Sequence, residues 1–264
     1  MNTKINNPLI FTDGNKENKS IVFVHGFPFD RFMWDAQVKA LSSSYFCVRY
    51  DLHGLGESPS GDGQFTMEMF VDDLKEIVDG MKLNKPVLCG LSMGGYISLR
   101  ALGRIENLFS VLILCDTKSV ADDNETKIKR AGAIKRINDG QFELFIEEFV
   151  ANCFADSFIK ESKKEYREVV NRSLKNNPVG VKGCVLAMAG RTDTTELLSQ
   201  IKLPTLVICG SEDTLSPSTV MKPMADAIPG SEFVLVEGAG HMAPIEKADF
   251  VNGKIADFLK RIFL

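Results

Sequence analysis

Gly90-Leu91-Ser92-Met93-Gly94 is the segment that most restricts what this chain can become. An apolar run, Pro86-Val87-Leu88-Cys89, precedes it, and a helical pattern, Tyr96-Ile97-Ser98-Leu99-Arg100-Ala101-Leu102, follows it. The expectation is a strand, a sharp turn and a helix, with Ser92 at the apex and the glycines leaving room for the turn. A serine held there exposes its oxygen at the top of a sheet. It also sits beside a helix N-terminus, whose free N–H groups can stabilise an oxyanion.

The same rhythm runs through much of the chain. Ile21-Val22-Phe23-Val24, Phe46-Cys47-Val48-Arg49-Tyr50, Val87-Leu88-Cys89 and Val111-Leu112-Ile113-Leu114-Cys115 read as buried strands, most of them followed by helical patterns. From about Thr117 to Arg191 only helical patterns appear. Strands resume at Thr205-Leu206-Val207-Ile208-Cys209 and Phe233-Val234-Leu235-Val236, and a terminal helix begins after Pro244. Alternation of this kind predicts an α/β fold with a mostly parallel central sheet flanked by helices. Residues 1–116 and 192–264 are expected to form the core, and 117–191 an inserted all-helical lid over the strand ends.

A serine needs a base to take its proton, and the base needs an acid to orient it. On this scaffold the chain order is Ser, then Asp or Glu, then His. Of His25, His53 and His241, only His241 follows Ser92, in the loop Gly238-Ala239-Gly240-His241 after a strand. Asp213, in Gly210-Ser211-Glu212-Asp213, is the expected acid. Asp116 ends another strand and competes with it; its other expected role is to cap the insertion's first turn. An oxyanion needs backbone donors. Pro28 has none, so Phe27 in His25-Gly26-Phe27-Pro28 and Met93, the residue after Ser92, are the expected pair. His25 is expected to hold its loop by hydrogen bonds, and Asp51 and His53 to bond backbone.

In this order His25-Gly26-Phe27, Asp51-x-His53-Gly54-x-Gly56-x-Ser58, Gly90-x-Ser92-x-Gly94-Gly95, Gly210-x-x-Asp213 and Gly240-His241 resemble a capped α/β-hydrolase from about Ile21 to Leu259. The likeness is to the carboxylesterase and 3-oxoadipate enol-lactonase group, which shares Ser-Met-Gly-Gly-Tyr and the Asp116-Thr117 step. Position 53 carries His where that group usually has Arg. The N-terminal lead is short, so the family's first antiparallel strand is expected to be missing or clipped. The resemblance implies a serine hydrolase with no cofactor and no metal. Relatives on this fold that open epoxides or displace halide use an aspartate nucleophile; a serine gives acyl transfer.

The expected substrate is a small, fairly apolar carboxylic ester, in a pocket lined by Phe27, Phe29, Met93, Met242, Phe154 and Met188. The alternatives are a carboxylate-bearing enol-lactone, for which Arg31, Arg130 or Arg191 would have to enter the pocket, and a ligand-sensing protein that keeps the machinery but signals through a partner. A net charge of −4 among 264 residues speaks against nucleic acid. No apolar run approaches a membrane span, and Met1 to Asn7 lack the core of a signal peptide, so a cytoplasmic home is expected. Cys47, Cys89, Cys115 and Cys209 in strand-like runs read as small buried hydrophobes. Lys127, Lys129, Arg130, Lys135 and Arg136 read as a solvated helix face.

Overall fold

A computed structural model describes residues 8–263. The expectations placed on Met1 to Asn7 lie outside the described residues. Strands β1 (Ile10–Asp13), β2 (Ser20–Val24) and β3 (Phe46–Tyr50) open the chain, with α1 (Asp35–Leu41) between the last two. Next come α2 (Met67–Gly80), β4 (Val87–Leu91), α3 (Met93–Ile105) and β5 (Val111–Cys115). Five helices are then inserted: α4 (Asn124–Asn138), α5 (Phe142–Ala151), α6 (Asp156–Glu161), α7 (Lys163–Ser173) and α8 (Pro178–Ala189). The α/β rhythm returns with β6 (Thr205–Gly210), α9 (Ser218–Asp226), β7 (Glu232–Val236), α10 (Ala243–Glu246) and α11 (Ala248–Phe263).

The sheet has seven strands in the order β1-β3-β2-β4-β5-β6-β7. Six run parallel, and β1 pairs antiparallel with β3 through Ile10–Tyr50 to Asp13–Cys47. The family's first antiparallel strand, expected to be missing or clipped, is therefore present as β1, of which the sequence rhythm gave no sign. It is four residues long at an edge, and none of the four is fully buried, so it carries no apolar run. Every residue of β2, β4, β5 and β6 is buried, as expected for strands covered on both faces.

Helix boundaries follow local chemistry. Thr66, Asp123 and Asn177 accept backbone N–H bonds from Met69, Thr126 and Val179, capping α2, α4 and α8. Pro178 stands in the first turn of α8, where its missing N–H has no cost. All six cysteines are free and buried, as their apolar surroundings suggested. No helix among the described residues is long and apolar enough to cross a membrane.

Parallel strands put the loops after β2, β4, β5, β6 and β7 on one edge of the sheet, where open α/β sheets bind ligands. The inserted helices pack on that edge. Asn176 Nδ2 donates to the carbonyl of Pro28 at 2.7 Å, and its Oδ1 accepts the N–H of Gly56 at 2.8 Å. The ring of Phe149 meets that of Phe27 edge to face, with centroids 5.1 Å apart.

Candidate active site

Ser92 joins β4 to α3 with φ 52° and ψ −113°, a conformation that L residues rarely adopt. Its N–H donates to the carbonyl of Cys115 at 3.0 Å, and its carbonyl accepts the Thr117 hydroxyl at 2.8 Å. The turn is tight because Gly94 rests on the neighbouring strand: a Cβ there would come within 2.1 Å of the Val24 carbonyl. Ser92 itself stays partly exposed amid buried neighbours.

His241 lies in the loop after β7 and is 3% exposed. Its Nδ1 is 2.8 Å from Oδ2 of Asp213, at the end of β6. The other carboxylate oxygen, Oδ1, accepts the N–H groups of Leu215 at 2.8 Å and Ser216 at 3.0 Å. Burial pushes the Asp213 carboxyl up. The neighbouring His241 and these hydrogen bonds outweigh it and hold the group below its ordinary value. An ionised Asp213 keeps the proton of His241 on Nδ1, leaving Nε2 as the basic nitrogen. Glu212, adjacent in sequence, is exposed.

Asp116 ends β5 in a left-handed conformation, φ 44°. It does not cap the insertion's first turn: its Oδ1 accepts the Gly210 N–H on β6 at 2.7 Å, while Oδ2 has no hydrogen-bond partner among the described residues. Burial, reinforced by the Asp213 charge, pushes its carboxyl well above the ordinary value. Among the described residues the N–H groups of Phe27 and Met93 donate to no protein acceptor. For Met93 this follows from its place in the first turn of α3, whose N–H groups lack intrahelical partners.

The supporting residues divide. His25 Nδ1 bonds the Gly26 carbonyl at 2.9 Å, and its Nε2 accepts the Leu52 N–H at 2.9 Å, so it holds its loop. Burial lowers its pKa, which keeps the ring neutral. Asp51 takes the backbone N–H groups of Arg31 and Glu57. His53 has a side-chain partner, with Nδ1 2.7 Å from Asp73.

Phe29 lines a cavity of about 290 Å³ between the loop after β2 and helix α7. Met33, Val169, Arg172, Ser173 and Ile245 share that lining; none of Ser92, His241, Phe27, Met93, Phe154, Met188 and Met242 does, and Phe154, Met188 and Met242 are buried. Phe154 stacks on Phe158 with centroids 5.3 Å apart. The sequence reading missed Phe145 and Phe149, whose rings cover Phe27, and Glu246, which bonds the backbone on both sides of His241. The α5 run Phe142–Val150 signalled an amphipathic helix, but nothing in it said what the aromatics would meet.

Arg31, Arg130 and Arg191 are committed to other partners. Arg31 pairs with Asp51 and Glu57, and Arg130 and Arg191 both pair with the buried Asp122. Arg130 therefore leaves the solvated face expected of it, whereas Lys129, Lys135 and Arg136 pair there with Glu125, Asp139 and Glu148.

Residues 19–248 match the model of a family described as the alpha/beta hydrolase fold. The solved structure of a thermophilic esterase from Thermogutta terrifontis superposes with a TM-score of 0.93, at 34% identity, covering 97% of this chain and 94% of that one. 3-Oxoadipate enol-lactonase 1 of Acinetobacter baylyi is 27% identical over 95% of this chain and 92% of its own length. Non-heme chloroperoxidase CPO-A1 of Kitasatospora aureofaciens is 29% identical over 93% of this chain and 94% of its own.

Proposed function

The chain belongs to the alpha/beta hydrolase fold family, and from that premise we propose that it is a serine hydrolase of small, apolar carboxylic esters. The observation that carries this reading is the 2.8 Å bond between His241 Nδ1 and an Asp213 carboxylate anchored by two backbone N–H groups. An imidazole fixed in that way has one task left for Nε2, which is to exchange protons with a nucleophile. Ser92, on its strained turn between β4 and α3, is the nucleophile.

In the reaction, Nε2 of His241 takes the Ser92 hydroxyl proton as Oγ bonds to the ester carbonyl carbon. The carbonyl oxygen becomes an oxyanion and accepts the N–H groups of Phe27 and Met93. The C–O bond to the alcohol breaks, and the alcohol leaves with the proton held by His241. Water then gives a proton to His241 and attacks the acyl-serine, which releases the acid and restores Ser92. Asp213 stays ionised and stabilises the imidazolium that forms twice in the cycle.

The inserted helices act as a lid that sets the apolar character of the substrate. Phe145 and Phe149 cover Phe27; the cavity beside α7 joins Phe29, Met33, Val169 and Ile245 to the charged Asp30, Asp35, Glu165, Glu168 and Arg172, and none of Ser92, Phe27, Met93 or His241 lines it. For a carboxylate-bearing lactone, Arg31, Arg130 and Arg191 are already paired, while Arg172 lines the cavity beside α7. A panel of p-nitrophenyl esters of rising chain length, run beside an enol-lactone with and without a carboxylate, tests the reading. Ester turnover that disappears in Ser92→Ala supports it. Turnover of the carboxylated lactone alone would overturn the substrate class.

A further inference from the structure

Glu246 ends α10, and the residue is 9% exposed. Its Oε1 accepts the N–H of Gly240 at 3.0 Å and that of Met242 at 3.2 Å, the residues on either side of His241. Its Oε2 accepts the N–H of Ala155 at 2.9 Å. Ala155 caps α6 in the inserted block, 91 positions away in the chain. The two segments also touch directly, since a Cβ on Gly240 would come within 2.6 Å of the Ala155 nitrogen.

A carboxylate is an acceptor at both oxygens, so it can take all three donors at once. An amide cannot, because its nitrogen only donates. We propose that Glu246 is a positioning residue for His241: it brackets the imidazole through the backbone on both sides and ties that segment to the inserted helices at Ala155. The proposal rests on the reading of His241 as general base. The backbone at 240 and 242 sets the origin of the ring, which must reach Asp213 with one nitrogen and Ser92 with the other. A displacement of an ångström in such an arrangement can cost about 100-fold in rate.

The test compares Glu246→Ala and Glu246→Gln with wild type on p-nitrophenyl acetate, well below each protein's unfolding temperature. Ile255→Ala, a core truncation in α11, serves as a control for lost stability, and His241→Ala as the reference for a missing base. Glu246→Ala is expected to lower kcat about 10- to 100-fold with KM changed by less than about threefold, because a displaced base slows chemistry and leaves binding of a small ester alone. Glu246→Gln keeps one accepting oxygen and should recover part of the loss. Ile255→Ala should lose stability and keep its kcat. Wild-type kcat in folded Glu246→Ala, beside an inactive His241→Ala, sinks the proposal alone. An equal loss of kcat in Ile255→Ala also sinks it, by showing that general loosening suffices. Full turnover by His241→Ala would remove the base and this proposal together.

Discussion

Asp116 and Asp213 end the adjacent strands β5 and β6, yet Asp213 bonds the imidazole of His241 and Asp116 bonds the Gly210 N–H. The two carboxyls are also shifted in opposite directions, Asp116 well above its ordinary value and Asp213 below it. Burial favours the protonated form of Asp116, which supports the strand end. The ionised form of Asp213 is favoured beside the imidazole of His241.

That division predicts unequal mutants. Asp213→Asn should lower kcat about 10⁴-fold, since an amide no longer fixes the proton on Nδ1. Asp116→Asn keeps the shape and the accepting oxygen at a site where burial already favours the neutral form, and should keep kcat within about tenfold of wild type. Steady-state rates on one short ester decide it. A crippled Asp116→Asn beside an active Asp213→Asn would reverse the assignment.

Stability should carry the signature of Asp116. Its folded pKa is raised, so the native state binds the proton more tightly than the unfolded chain. The resulting stabilisation is complete below the unfolded value of about 3.9 and is lost as pH rises through the higher folded value. Asn has nothing to lose over that range. The unfolding midpoint of Asp116→Asn should therefore fall less than that of wild type between weakly acidic and alkaline pH. Parallel urea-denaturation series would detect this, and identical slopes would refute it.

The turn at Ser92 stores strain that glycine can release. Ser92→Ala and Ser92→Gly should both be inactive, losing on the order of a millionfold in rate. The glycine variant should be more stable than the alanine variant by about 1 kcal/mol, the relief of a positive φ less the extra freedom glycine gives the unfolded chain. Denaturant titrations provide the comparison. An alanine variant that matches or exceeds the glycine one would show that the turn is unstrained in solution.

Narrowing the cavity beside α7 should change which esters are preferred. Val169→Trp fills space between α7 and the Phe29 loop without touching Ser92, Asp213 or His241. Its kcat/KM for an octanoate ester should fall more than for acetate, with relative shifts of roughly 10- to 200-fold as the ceiling. If the ranking of acetate, butyrate and octanoate is unchanged in Val169→Trp, the cavity does not hold the apolar part of the substrate.

Local patterns were enough to read much of this protein from its sequence. Buried parallel strands are continuous apolar runs, and Gly90 to Gly95 spell a turn because neighbouring backbones leave no room for a Cβ at Gly94. The order Ser92, Asp213, His241 and their places after strands pointed to one edge of the sheet, since parallel strands must put their ends together. Three kinds of feature had no such signature. The four-residue β1 at the sheet edge lacks a buried run. The partners of Arg31, Arg130 and Arg191 depend on which acids the loops bring near, and charge alone cannot name them. The bonds from Asn176 to Pro28 and from Ala155 to Glu246 span 148 and 91 positions. Only packing the inserted helices onto the strand ends brings those groups within hydrogen-bond reach. Sequence periodicity reports the face an element buries; the tertiary structure alone decides what that face meets.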